Sequence, residues 1–306
     1  MQAPERFHSL DALRGVAALA VVLCHWRMWT LDAKGVLPTD PVALLPFPAV
    51  MAFFDISGKY AVGLFFSLSG FVFYWLYRRA IRDRRVDARA FAGGRFARLY
   101  PLQFATLVIV AAGQAIYMAG NGGIGFGFVV NDPADFFKHL FLFPLWGRER
   151  NYTFNGPDWT LAIECFLYAC FYVAARWLPL GIAATAALVA AGACVAPWSP
   201  DMSWGLAAFF MGGLTCLVFE RVRDGRVAES VLRVFLGISW PLAFICGSHA
   251  ITLDATSFWW LDAWYATYLM FPATLLYLAL VEARRGTLGA RLGWLGDITY
   301  STYLLH

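Results

Sequence analysis

The chain has 306 residues, 60% of them hydrophobic and only 14% charged, with a mean hydropathy of +0.59 and a formal charge of +4. That composition excludes a soluble globular domain and makes the lipid bilayer the first partner to expect. The small positive charge is mostly arginine and gives no ground for a nucleic-acid partner.

A membrane helix needs about 20 mostly apolar residues. In chain order such stretches fall near 10–30, 60–78, 99–119, 158–175, 177–195, 202–219, 234–250, 258–282 and from 294 onward. The expected fold is an all-α polytopic integral membrane protein of nine to ten transmembrane helices. Its last helix is cut by the end of the sequence, with one more expected beyond it. Residues 1–306 read as a single transmembrane domain without a soluble one. The first stretch resembles a signal peptide, but no small-x-small cleavage site follows it, so an uncleaved helix is expected. The six cysteines stand singly in apolar surroundings, with no C-x-x-C and no histidine at metal-ligand spacing, so neither a disulfide framework nor a metal site is expected.

Orientation follows from the loops. Eight arginines lie between residues 78 and 98, whereas the alternate loops carry only scattered charges such as Arg27, Lys59 and Lys138. The excess marks the cytoplasmic side and puts the N-terminus there, with the protein in the inner (plasma) membrane. The longest outer segment, roughly 120–157, is rich in glycine and aromatics and is a candidate lid or substrate-facing loop.

The first helix, "LDALRGVAALAVVLCHW", keeps Arg14 and His25 within its apolar run. Ionisable groups at such depth are tolerated when they are paired or face a cavity, which makes them functional candidates. Eleven helical steps of about 100° bring both side chains to one face, about 16 Å apart along the axis. Asp11, one turn before Arg14, is placed to pair with its guanidinium. The ordinary alternative for Arg14 is snorkelling to the headgroups.

In the second helix, "VGLFFSLSGFVFYW" sets Gly63, Ser67 and Gly70 on one stripe, which suits close helix packing. Ser69 is a conceivable nucleophile, yet no acid or base lies near it in sequence, and a hydroxyl bonded to its own helix is the plainer reading. At the start of the third helix, "RFARLYPL" puts Arg95 and Arg98 one turn apart. Ordinary positive-inside charge explains arginines here; guanidinium forks on successive turns also suit capture of a phosphate. The fourth helix opens as "NGPDWTLAIECFLY", with Asp158 near its N-cap and Glu164 about 9 Å deeper by helix rise. By depth, His25, Glu164 and His306 fall at one level in the outer half of the membrane, where an imidazole can take and return a proton. His8 precedes the first helix, while His139 and His249 read as belonging in or beside outer loops.

These segments together resemble the membrane acyltransferase-3 family. "LDALRGVAALAVVLCHW" is similar to its arginine, ten residues, histidine signature, and "FFSLSGF", "RFARLYP", "WTLAIE" and "YSTYLLH" resemble its further motifs, in its order, from residue 7 to the end. The resemblance implies about ten membrane helices and transfer of an acyl group from cytosolic acyl-CoA, commonly acetyl-CoA, to a hydroxyl of a cell-surface glycan or of a small-molecule glycoside such as a macrolide. It marks Arg14 and His25 as the essential pair, Arg95 and Arg98 as the coenzyme A phosphate contact, and Glu164 and His306 as polar members of the core, with Ser69 and Trp159 inside supporting motifs. No metal is implied. From the residues alone, a proton-coupled transporter built on the same intramembrane His, Glu and Arg, or a purely structural scaffold, remains open.

Overall fold

The structure is a computed structural model that describes residues 6–32, 38–122, 125, 133–142, 154, 156–225, 234, 237–239, 263–286 and 289–305. Among these residues all regular structure is helical: α1 (His8–His25), α2 (Pro48–Leu76), α3 (Arg78–Arg82), α4 (Ala88–Gly120), α5 (Pro133–Leu140), α6 (Asp158–Trp177), α7 (Ile182–Ala193), α8 (Pro200–Arg223), α9 (Phe271–Arg285) and α10 (Trp294–Leu305).

Five described helical stretches are long and apolar enough to cross a membrane: His8–Thr30, Ala88–Gly120, Asp158–Trp177, Pro200–Arg223 and Ala263–Arg285. The two parts of α2, Pro48–Asp55 and Tyr60–Leu76, count as a sixth when taken as one broken span. The chain is therefore a multi-pass membrane protein. The stretch expected at 177–195 is shorter than a crossing. Pro179 and Gly181 interrupt it, and α7 begins only at Ile182 and runs 12 residues. The stretch expected at 234–250 lies outside the described residues except for a few positions. Conversely, the third helix starts well before 99. Asp87 caps it by accepting from the Ala90 amide at 2.7 Å, so the arginine-rich segment is already helical in α4. At about 1.5 Å per residue its 33 residues reach roughly 50 Å, well past a hydrocarbon core of about 30 Å.

The chain divides into two units. The first comprises Met1–Ala17, Tyr60–Arg85 and Phe171–Thr299. Its centre is α8, which packs on α7 and α9 and buries most of its own side chains. Glycine makes the approach of α2 possible. A Cβ on Gly70 would fall 1.8 Å from the Phe209 carbonyl oxygen, and one on Gly212 would fall 1.9 Å from that of Ser67. The small-residue stripe of the second helix is thus a packing surface. Phe71, Phe73, Phe209 and Phe219 fill the space around it, with edge-on ring contacts at centroid distances of 5.4 to 5.8 Å.

Carboxylates clamp the same unit. Glu282 of α9 is buried and accepts from the His8 amide at 2.7 Å, the Ser9 amide at 2.9 Å and the Ser9 hydroxyl at 2.5 Å, closing the N-terminus of α1. Glu220 of α8 accepts from Arg78 at 2.7 Å. Arg6 bridges Asp11 at 2.5 Å and Asp297 at 2.6 Å, and hydrogen bonding to Asp11 first and Asp297 second raises its guanidinium above the ordinary arginine value.

The second unit comprises Ala18–Lys59, Val86–Cys170 and Tyr300–His306. Here Gly58 of α2 lets the helix close on α1: a Cβ there would meet the Cys24 side chain at 2.3 Å and the Ala20 carbonyl oxygen at 2.8 Å. Helix α5 lies against α4.

Candidate active site

The boundary between the two units falls within α1, so Arg14 belongs to the first and His25 to the second. Arg14 Nη1 lies 3.4 Å from Asp11 Oδ1, and Asp11 also takes Arg6 on its other oxygen. Both side chains are largely buried within the protein. At the far end of α1, His25 is exposed. Its Nδ1 lies 2.9 Å from the Val21 carbonyl oxygen. A carbonyl only accepts, so Nδ1 carries the proton and, in the neutral ring, Nε2 holds the lone pair. In that tautomer Nε2 is the ring nitrogen able to take a proton. Beyond it the chain tightens into a turn of 3₁₀ helix, Trp26–Thr30, and Arg27 pairs with Asp55 at 3.0 Å.

The second unit also gathers the polar groups of α4, α6 and α10. Tyr168 Oη donates to Glu164 Oε1 in a short bond one turn along α6. Tyr300 Oη donates to the Leu99 carbonyl, and Tyr303 shares a hydrogen bond of 2.8 Å with Thr160. Arg95 is half-buried and Arg98 exposed, on successive turns, and Pro101 deprives the Ala97 carbonyl of its helical partner beside them. Trp159 is half-buried at the start of α6. Glu164, expected at the level of His25, takes a hydrogen bond from the Tyr168 hydroxyl. His306 lies outside the described residues. Ser69, half-buried on α2, and Asp11 belong to the first unit with Arg14.

One cluster escaped the sequence. His139 was expected in or beside a loop, but it sits in α5 and is only 3% exposed, because α5 turns it inward. Its Nδ1 lies 3.2 Å from Asp158 Oδ2, so the ring donates to a carboxylate that is 0% exposed. Asp158, expected as a helix cap, is therefore the buried centre of this group. Gln103 Nε2 completes it by donating to the His139 carbonyl at 2.9 Å and to Asp158 Oδ2 at 3.2 Å. Two acceptors facing Nε2 fix the amide orientation. Among the described residues Gln103 Oε1 and Asp158 Oδ1 have no hydrogen-bond partner. The only signal in the sequence was an aspartate preceding "WTLAIE", since its partners lie 19 and 55 residues away.

Comparison with known proteins gives this geometry its setting. The acyltransferase-3 pattern, described as an acyltransferase domain, matches residues 7–306. The acyltransferase MdmB of Streptomyces mycarofaciens is 28% identical over 98% of this chain and 78% of its own length. Protein 2 in the picA locus of Rhizobium radiobacter is 38% identical over 36% of this chain and 46% of its own length. No solved structure matches the chain. With nearly its whole length inside the family pattern, the chain belongs to the acyltransferase-3 family and is an acyltransferase enzyme of the membrane.

Proposed function

We propose that the protein transfers an acyl group, acetyl in the first instance, from acyl-CoA on the cytoplasmic side to a hydroxyl of a glycan or glycosylated small molecule at or across the inner membrane, with its own N-terminus in the cytoplasm. Family membership supports acyl transfer and removes the ground for a proton-coupled transporter. The observation that carries the chemical reading is the His25 ring, fixed through Nδ1–H on the Val21 carbonyl so that Nε2 presents the lone pair.

In this mechanism Arg95 and Arg98 hold the phosphates of coenzyme A by bidentate contacts from successive turns. Arg14, charge-balanced by Asp11, belongs to the donor side. His25 Nε2 takes the proton of the acceptor hydroxyl as its oxygen attacks the thioester carbonyl carbon. The C–S bond breaks, coenzyme A leaves as the thiolate, and the imidazolium returns the proton to it. An ester and free coenzyme A are the products, and no acyl-enzyme is needed. Glu164 orients the imidazole or stabilises the imidazolium that forms.

The test is transfer of label from acetyl-CoA to a glycoside by the purified protein in nanodiscs. Loss of product in His25→Ala and a raised KM for acetyl-CoA in Arg95→Ala are expected. Wild-type turnover in His25→Ala ends the proposal, and a label trapped on His25 replaces direct transfer with a two-step route.

A further inference from the structure

The arginines that precede Arg95 and Arg98 do separate work. A cavity of about 320 Å³ opens in the first unit, lined by Arg78, Arg79 and Arg82 on one side and by Leu178, Pro179 and Gly181 of the α6–α7 connection on the other.

Charge is the first argument. Glu220 accepts from Arg78 Nη2 at 2.7 Å and from Arg79 Nη2 at 3.4 Å, while Arg78 Nη1 donates to the Leu180 carbonyl at 3.1 Å. Arg78 is thereby a fixed wall of the cavity. Arg79 is 69% exposed and its contact with Glu220 is long; Arg82 is exposed, and no ion pair is described for it. One carboxylate thus serves two of the three guanidinium groups of the lining, which carries an excess of positive charge in forks that match a phosphate.

The second argument is the apolar side. Leu178 and Pro179 border the cavity, and Trp177, 69% exposed at the end of α6, stands beside them as an aromatic group suited to the headgroup layer. A ligand that satisfies both halves is an anion attached to hydrocarbon. The volume is at the small end of ligand sites, about 300 to 1,000 Å³, which suits a glycerophosphate group better than a whole nucleotide.

We propose that this cavity binds the phosphate of an anionic phospholipid, with Arg79 and Arg82 on the phosphate oxygens and the acyl chains lying along Trp177 and Leu178. Basic pockets between membrane helices are the usual setting for such headgroups. The site is independent of acyl transfer, and coenzyme A, which also carries phosphates, is the competing source to be separated by experiment.

Native mass spectrometry of the full chain released from nanodiscs containing equal phosphatidylglycerol and phosphatidylcholine tests it. The wild type should retain phosphatidylglycerol preferentially. Replacing both exposed arginines, Arg79→Gln with Arg82→Gln, should reduce that preference roughly ten- to thirty-fold, whereas Arg89→Gln, on the exposed start of α4, should leave it unchanged. Equal retention of both lipids by the wild type overturns the proposal, as does full preference in the double variant or an equal drop in Arg89→Gln. Stoichiometric displacement of the lipid by coenzyme A also overturns it, because it makes the cavity a cofactor-phosphate site.

Discussion

The two units use buried ionisable groups in opposite ways. In the first, acids and bases act as clamps. Glu282 closes the first turn of α1, Glu220 pins Arg78, and Arg6 joins Asp11 to Asp297, all around a glycine and phenylalanine core that admits no extra methyl. In the second, similar groups are held by single-residue contacts close to home or in a small buried cluster: the His25 imidazole on the Val21 carbonyl, Glu164 against the Tyr168 hydroxyl, and a buried Asp158 whose Oδ1 lacks a hydrogen-bond partner among the described residues. Burial of a charge is therefore a poor guide to chemistry on its own. What separates the two cases is what the charge holds: the first-unit carboxylates tie segments distant in sequence to one another, while His25 and Glu164 bond within their own helices.

The contrast can be broken by substitution. The largest effect is expected in the second unit: His25→Ala lowers acyl transfer by about 10² to 10⁴ while the unfolding temperature in detergent stays that of the wild type. An unfolding shift in place of a rate loss would move His25 into the clamp class. Next comes Gly212→Ala, whose methyl meets the Ser67 carbonyl. It should cost about 3 kcal/mol through backbone displacement, measured as a fall in the folded fraction on size-exclusion chromatography. Glu282→Gln keeps the shape but weakens three charge-assisted bonds at once, for a loss of about 1 to 3 kcal/mol in thermal unfolding, with catalysis per folded molecule unchanged. The smallest change is that of Arg6→Gln. Its pairs are half exposed, so a shift below about 1 kcal/mol is expected, and it should shrink further when salt is raised.

Much of this was legible in the sequence, and the reasons for the rest are physical. Long apolar runs give α1, α4, α6, α8 and α9 directly, because hydropathy is a local property. The true start of α4 depended on one capping side chain, Asp87, and the shortness of α7 on Pro179 and Gly181, so the boundaries moved by up to eleven residues. The motif residue Glu164 is bonded by Tyr168, a residue the motifs did not single out. The pairing of His139 with Asp158 and Gln103, and the embrace of Ser9 by Glu282, were invisible because each joins positions that only tertiary packing brings together. Histidine beside a loop and glutamate at a helix end look like surface residues until the partner is known.

The grip of Glu282 on the start of α1 has a consequence for how the protein is made. The amides of His8 and Ser9 emerge from the ribosome long before the carboxylate that receives them, which is synthesised 273 residues after Ser9. Until α9 is made, these amides must be satisfied by water or lipid headgroups, and the segment locks only when α9 arrives. A nascent chain stalled before residue 282 should therefore leave its N-terminus open to protease, and one stalled beyond α9 should protect it.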